Sequence, residues 1–242
     1  MTPPMFRAPS GAAHSGSVTL DGSEGHHAAD VRRLRAGEAI WLSDGRGTRW
    51  EGTVATVRRG ALDIAVERVT TEPAGRPRLV AVQALAKGGR DEAAVEAMTE
   101  VGVDEIIAWS ASRSIAKPTD RTAPKWQSTA DAAARQSRRA WWPTITGPVG
   151  TTAVATRIAE AGIALVLHED AELSLSAVEV TGTAEVVVVV GPEGGISDDE
   201  LAAMTAAGAI AVRLGPTVLR SSTAGVAALS AICARTRWTH VT

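Results

Sequence analysis

The residues with the plainest chemical content stand together at 186–200, VVVVVGPEGGISDDE. Five valines read as a buried strand, the glycine steps around Pro192 and Glu193 as a turn, and Ser197 with Glu200 as an S-x-x-E capping box that opens a helix. In an open α/β sheet, ligands bind beyond the carboxyl ends of the strands, and glycines there let a ligand approach the backbone. Gly194 and Gly195 would equally serve a bare strand-to-helix turn. A phosphate would favour free N–H groups and a basic side chain at the helix start, whereas Asp198, Asp199 and Glu200 occupy it. The loop is neither G-x-G-x-x-G nor a P-loop with its lysine, which leaves a neutral or cationic ligand. LHED at 167–170 and RLGPTVLRSSTAG at 213–225 have the same character, so three strand ends could converge on one small molecule.

These loops need a scaffold, and the pattern supplies one beyond residue 72. LVAVQALA, VDEIIAW, IALVLHE, VVVVV and IAVRLG read as strands. They alternate with helices over DEAAVEAMTEVG, about 121–140, from Ser197 and from about Ser221. Such alternation implies a parallel sheet covered on both faces. Before residue 72 the runs SVTL, EAIWLS, TRWEGTVATV and ALDIAVERV are β-like, separated by DGRG and RRG turns, and a small barrel would close them. EPAGRP at 72–77 reads as the linker between residues 1–72 and 73–242.

Composition narrows the class. With 242 residues and 45% apolar content the chain can bury a sizeable core, and a formal charge of -2 singles out no partner. The distribution of charge is more informative than its sum. Residues 113–139 carry Arg113, Lys117, Arg121, Lys125, Arg135, Arg138 and Arg139 against Asp120 and Asp131, while residues 158–200 hold ten acids and no Lys or Arg. The basic block suits RNA phosphates, though a solvated helix face would look the same. A single cysteine, Cys233, excludes an internal disulfide, and with no apolar run of membrane-spanning length the expectation is a cytoplasmic protein.

VGPEGGISDDE followed by RLGPTVLRSSTAG resembles the paired C-terminal signatures of the RsmE-type 16S rRNA uracil-N3 methyltransferases, of the SPOUT class. Arg7, HH at 26–27, VRRLRAGE at 31–38, AKGGRDEAAVEAMTEVGV at 86–103 and ARQSRRAWWP at 134–143 follow the same order, so the resemblance spans nearly the whole chain. It implies a PUA-like β-barrel RNA-binding domain, then a SPOUT-type α/β domain with a C-terminal trefoil knot. It also implies a homodimer and S-adenosylmethionine as methyl donor, with 16S rRNA of the small subunit as partner and no metal. Three positions depart from the family pattern: Ala97 where a Lys is usual, Ser222 where a Glu is usual, and Arg135 or Asp131 for a Glu ahead of Gln136 and Ser137.

The cofactor carries a sulfonium and no phosphate, which agrees with acids near the loops. The expected lining is Leu167, His168, Glu169, Gly191, Pro192, Glu193, Gly194, Gly195, Leu214, Gly215, Leu219 and Ala224. Methylation at N3 requires loss of the imide proton and an unpaired or flipped base. Arg220 is the candidate for stabilising the developing negative charge and Glu100 a candidate base. The candidate RNA contacts are Arg7, His26, His27, Arg32, Arg33, Arg35, Lys87, Arg90, Gln136, Arg138 and Arg139, with Trp141 and Trp142 available to stack on bases or to pack. A non-enzymatic RNA-binding module and a nucleotide-dependent enzyme are the competing readings; the first predicts no S-adenosylmethionine binding and the second needs a phosphate loop that the sequence lacks.

Overall fold

The computed structural model describes residues 2–239. The chain forms two compact units, Met1–Ala74 with Ala134–Trp142, and Gly75–Ala133 with Pro143–Thr242. The first unit therefore recruits a stretch that lies far along the sequence, beyond a simple division at residue 72.

In the first unit β1 (Met5–Arg7), β2 (Gly16–Leu20), β3 (Ala39–Ser43), β4 (Thr48–Arg58) and β5 (Ala61–Thr71) make one sheet in the order β1-β3-β4-β5-β2. The β1–β3 pair is parallel and the rest are antiparallel, so the ladder ends at β1 and β2. Alternate side chains fill its core: Ile40, Leu42, Trp50, Val54, Leu62 and Ile64, joined by Phe6, Val18 and Leu20. A short helix, α1 (Gly22–His26), runs into a π-turn at His27–Val31. Both tryptophans of the recruited stretch pack rather than project. Trp142 is 7% exposed with the Arg7 guanidinium 4.2 Å from its ring, and the Trp141 indole donates to the Glu72 carbonyl.

The second unit is a six-stranded sheet, every neighbour pair parallel, in the order β11-β9-β10-β6-β7-β8. Its strands are β6 (Arg78–Ala84), β7 (Glu105–Trp109), β8 (Thr144–Val149), β9 (Ile163–Leu167), β10 (Glu185–Val190) and β11 (Ile210–Val212). Between them lie α2 (Arg90–Val101), α3 (Thr122–Gln136), α4 (Thr151–Ala159) and α5 (Asp198–Ala206), and α6 (Ser221–Arg235) follows. Val186–Val190 are buried on both faces of the sheet, as a central parallel strand demands. One face packs with Met98, Trp126 and Leu229, the other with Val154, Ile158 and Met204. Gly225 permits the close approach of α6 to α2: a Cβ there would lie 2.7 Å from Met98 Sδ.

The helix expected over 121–140 stops at Gln136. Arg138 adopts a left-handed φ of 58°, and the N–H groups of Arg138 and Arg139 close onto the carbonyls of Arg135 and Ala134. β1, α1, β8 and α4 went unforeseen. β1 is only three residues long. β8 contains Gly147 and Pro148, tolerated because it is an edge strand. The threonine-rich start of α4 carries little helical signal.

Candidate active site

Because β9, β10 and β11 are adjacent and parallel, Leu167, Val190 and Val212 end at one edge of the sheet, and the loops behind them face a common space. That space is a cavity of about 680 Å³, a size ordinary for a cofactor site. All twelve residues expected to line a cofactor pocket line this one, and so does Arg220.

Each loop is fixed by a local device. After β10 the Gly195 N–H donates to the Pro192 carbonyl, and Gly195 takes φ 76°, a conformation that suits glycine. A Cβ at Gly191 would meet Ile196 Cγ1 at 2.7 Å, so the strand exit has no room for a side chain. The capping box is present in both directions: Glu200 N–H donates to Ser197 Oγ, and Ser197 N–H to the Glu200 carboxylate. After β11, Arg213 is held through its backbone, its N–H donating to Leu173 and its carbonyl accepting from Leu175. Arg220 is the extended N-cap residue of α6, placed there by Thr223 and Ala224, whose N–H groups donate to its carbonyl. Behind it the buried Gln83 amide donates to Ser221 Oγ at 3.0 Å.

Charge in the cavity is mixed. Arg90 pairs with Glu193 at 3.2 Å, and Arg113 reaches the carbonyls of Gly194 and Ile196 at 3.5 and 3.4 Å. Glu169, Asp170 and Asp198 also line it. Arg220 is exposed and, among the described residues, has no acidic partner. Glycine turns without a phosphate cradle, acids at the helix start and a few cations suit a ligand with a positive centre and one carboxylate. S-adenosylmethionine has that chemistry: the backbone of 191–195 and 214–215 can approach an adenosine, the acids tolerate the sulfonium, and an arginine can meet the carboxylate. Among the described residues no group of His, Cys, Asp and Glu is placed to hold a metal, and no helix is long and apolar enough to cross a membrane.

The other expected site residues are dispersed. Glu100 is exposed near the far end of α2 and does not line the cavity, so the chain's own fold does not bring it to Arg220. Arg90, expected at RNA, lines the cavity instead, and Lys87 lies exposed in the loop before α2. The remaining nine, Arg7, His26, His27, Arg32, Arg33, Arg35, Gln136, Arg138 and Arg139, belong to the first unit. Arg7 is half-buried against Trp142, a packing position. His26 pairs with Asp30 at 2.7 Å, and the His27 ring lies 5.8 Å from Phe6. Arg32, Arg33, Arg35, Gln136 and Arg138 are exposed; Arg33 and Arg138 are the described non-glycine residues with left-handed φ. The sequence reading missed Arg113, Asp170, Val218 and Ser221 as lining residues. The basic block did flag Arg113, but nothing local tied it to a loop 81 residues away.

Residues 74–233 match the model of an RNA methyltransferase domain, and residues 20–67 that of an RNA methyltransferase PUA domain. The ribosomal RNA small subunit methyltransferases E of Mycobacterium bovis and Mycobacterium tuberculosis are each 45% identical over 230 residues, covering 91% of this chain and 88% of theirs. A methyltransferase from Legionella pneumophila, solved with bound cofactor SAM, superimposes with a TM-score of 0.88 at 26% identity, over 97% of this chain and 98% of that one. The ribosomal RNA small subunit methyltransferase E of Neisseria gonorrhoeae shares the fold with a TM-score of 0.89 at 24% identity, over 98% and 100% of the two chains.

Proposed function

The chain belongs to the ribosomal RNA small subunit methyltransferase E family and is an S-adenosylmethionine-dependent rRNA methyltransferase; from that premise we propose that it methylates N3 of one uridine in 16S rRNA at the cavity beyond β9, β10 and β11. The observation that carries this is the convergence of three strand-end loops, two of them acidic and none with a phosphate cradle, on a cavity that Arg220 also lines.

The cofactor supplies an electrophilic methyl group next to its sulfonium. The residues of this chain bind and orient it: the glycine-flanked backbones of 191–195 and 214–215 hold the adenosine, while Leu167, Leu214 and Leu219 exclude water. Arg220, at the start of α6 and without an acidic partner among the described residues, stabilises the negative charge that uracil develops as its N3 proton leaves. The target base enters unpaired, since pairing hides N3. In the first unit the exposed Arg32, Arg33, Arg35 and Arg138, with the half-buried Arg139, contact RNA phosphates. The trefoil threading of the C-terminal segment, the homodimer and cytoplasmic work on the small subunit belong to the same proposal. Its support is the insertion of β10 between β9 and the earlier β6 and the family's substrate.

The test is incubation of undermodified small ribosomal subunits with labelled S-adenosylmethionine, followed by mapping of the modified nucleotide. Label at N3 of a single 16S uridine is the expected result; label elsewhere, or on another atom, overturns the assignment.

A further inference from the structure

Glu200 does more than a capping residue must. Capping α5 requires only its exchange with Ser197, yet the carboxylate takes donors from two further segments, the loop after β7 and the start of α4. Ser112 donates its N–H to Oε1 at 2.8 Å and its hydroxyl to Oε2 at 2.8 Å, and Thr151 donates its hydroxyl to Oε1 at 3.0 Å. With Ser197 N–H at 3.1 Å and Ser197 Oγ at 2.9 Å the carboxylate is saturated. Its residue is 5% exposed. Burial opposes its ionisation, but the hydrogen bonds from Ser112 and Ser197 outweigh that and hold the carboxyl below the ordinary glutamate range. These donors come from the loop after β7, from the first residue of α4 beyond β8 and from the N-cap of α5 beyond β10, so one side chain gathers the segments that follow three strands.

The next residue after Ser112 is Arg113, whose guanidinium lies against the Gly194 and Ile196 carbonyls and lines the cavity. The packing is close on the backbone side as well: a Cβ on Gly194 would meet Arg113 Cβ and O at 3.1 Å. Those guanidinium contacts are long, so Arg113 cannot be fixed by them alone. The short bonds lie one residue back, from Ser112 to Glu200.

We propose that Glu200 is a positioning residue for cofactor binding: through Ser112 it holds Arg113 over the Gly194–Ile196 backbone, and the clamped arginine keeps that loop in its ligand-binding shape. The inference rests on the cavity being the S-adenosylmethionine site. It differs from helix capping in one respect: Ser112, although its hydroxyl also lies 3.2 Å from the Ser197 hydroxyl, supplies neither of the two capping-box bonds.

The test is calorimetric S-adenosylmethionine affinity for Ser112→Ala, Arg113→Ala and the double variant, with Gly215→Trp as a blocked-cavity reference and thermal melting on every protein. Ser112→Ala leaves both capping-box bonds in place, so melting should be nearly unchanged while affinity falls by about 3- to 10-fold, the worth of one net hydrogen bond. In turnover the same variant should raise KM for S-adenosylmethionine with kcat preserved. Arg113→Ala should weaken binding at least as much, and the double variant no further than Arg113→Ala, because Ser112 acts through the arginine. Glu200→Gln, which turns an amide N–H toward donors, should reproduce the affinity loss; if it fails to fold, the Ser112 and Arg113 cycle decides alone. Unchanged affinity in Ser112→Ala, or losses that add in the double variant, overturn the clamp. If Gly215→Trp also binds normally, the cavity assignment is wrong and the clamp falls with it; if Gly215→Trp is blocked while Ser112→Ala is silent, only the clamp fails.

Discussion

Gly215→Trp separates ligand exclusion from backbone strain better than any other glycine in the site. Gly195 has φ 76°, so any side chain there would add about 1–2 kcal/mol of left-handed strain to whatever it does to the ligand. At Gly191 a Cβ would collide with Ile196 at 2.7 Å. Gly215 lines the cavity, has no left-handed φ, and a Cβ on it would meet nothing within 4 Å. Alanine should therefore be tolerated, whereas an indole must occupy the space the ligand needs. S-adenosylmethionine at a hundred times its Kd stabilises the wild-type fold by about 2.7 kcal/mol. For a chain of 242 residues each kcal/mol moves the midpoint by about 2–4 °C, so the ligand should raise Tm by about 5–11 °C. Differential scanning fluorimetry with and without ligand should show that rise in wild type and most of it in Gly215→Ala. In Gly215→Trp the rise should be absent, with the ligand-free midpoint little changed. A full ligand-induced rise in a folded Gly215→Trp protein would remove the β11 loop from the binding site.

Arg220→Ala should lower single-turnover methylation of saturating small subunits by about a hundredfold with S-adenosylmethionine binding intact, and raising the pH from about 7 to 9.5 should partly restore it, because alkali supplies deprotonated uracil directly. A defect cured by more RNA alone would make Arg220 a binding residue. Reversing Arg138 and Arg139 to Glu should weaken RNA binding and flatten its salt dependence while leaving cofactor affinity unchanged; an unaltered salt slope would mark both as structural. Glu185→Gln, at the opposite end of β10, should destabilise the protein without touching cofactor affinity. Glu185 accepts from Arg78 at 2.8 Å and Arg157 at 2.7 Å, and although burial opposes its ionisation these bonds keep its carboxyl below the usual 4.5. Its contribution, about 1–2 kcal/mol once solvent screening is allowed for, is thus present above pH 4.5 and lost as pH falls through the lowered value. Urea melts of wild type and variant should converge below that pH, and parallel curves down to strong acid would contradict the ion-pair account.

Sequence carries a site best when each part is punctuated locally. The three loops that line the cavity were legible because an apolar run, a glycine or proline step and a helix start follow one another within about fifteen residues, and each signal has a separate physical cause. Ser197 and Glu200 were legible as a cap for the same reason. That Glu200 also takes Ser112 and Thr151, 88 and 49 residues away, was not, because long-range hydrogen bonds leave no periodicity. The recruitment of Ala134–Trp142 into the first unit was hidden in the same way. Its tryptophans could be read as packing or as base-stacking groups, and the contacts that Arg7, Arg139 and Glu72 make with them agree with packing. Glu100 was proposed as a base from its sequence neighbourhood, and only the direction of α2 carries it away from the cavity.

The three acids behind GPEGG divide their work. All occupy the first turn of α5, where a negative charge complements the helix dipole and each contributes about 0.3–1 kcal/mol. Glu200 turns inward and spends its carboxylate on Ser112, Thr151 and Ser197, so it offers nothing to a ligand. Asp198 lines the cavity, and Asp199 is exposed without lining it. A helix start that would bind phosphate through bare N–H groups is thereby converted into one that repels it. At about 6 Å and an effective dielectric near 20, one such carboxylate acts on a unit charge with about 3 kcal/mol, favourable for a sulfonium and roughly twice as unfavourable for a doubly charged phosphate. Glu169 and Asp170 add to the same side of the balance, while Arg90 pairs with Glu193 and Arg113, Arg213 and Arg220 line the cavity with the opposite charge. The fold supplies a glycine loop between a parallel strand and a helix, and the acids at that helix start favour the sulfonium of the ligand proposed above over a phosphate at the same place.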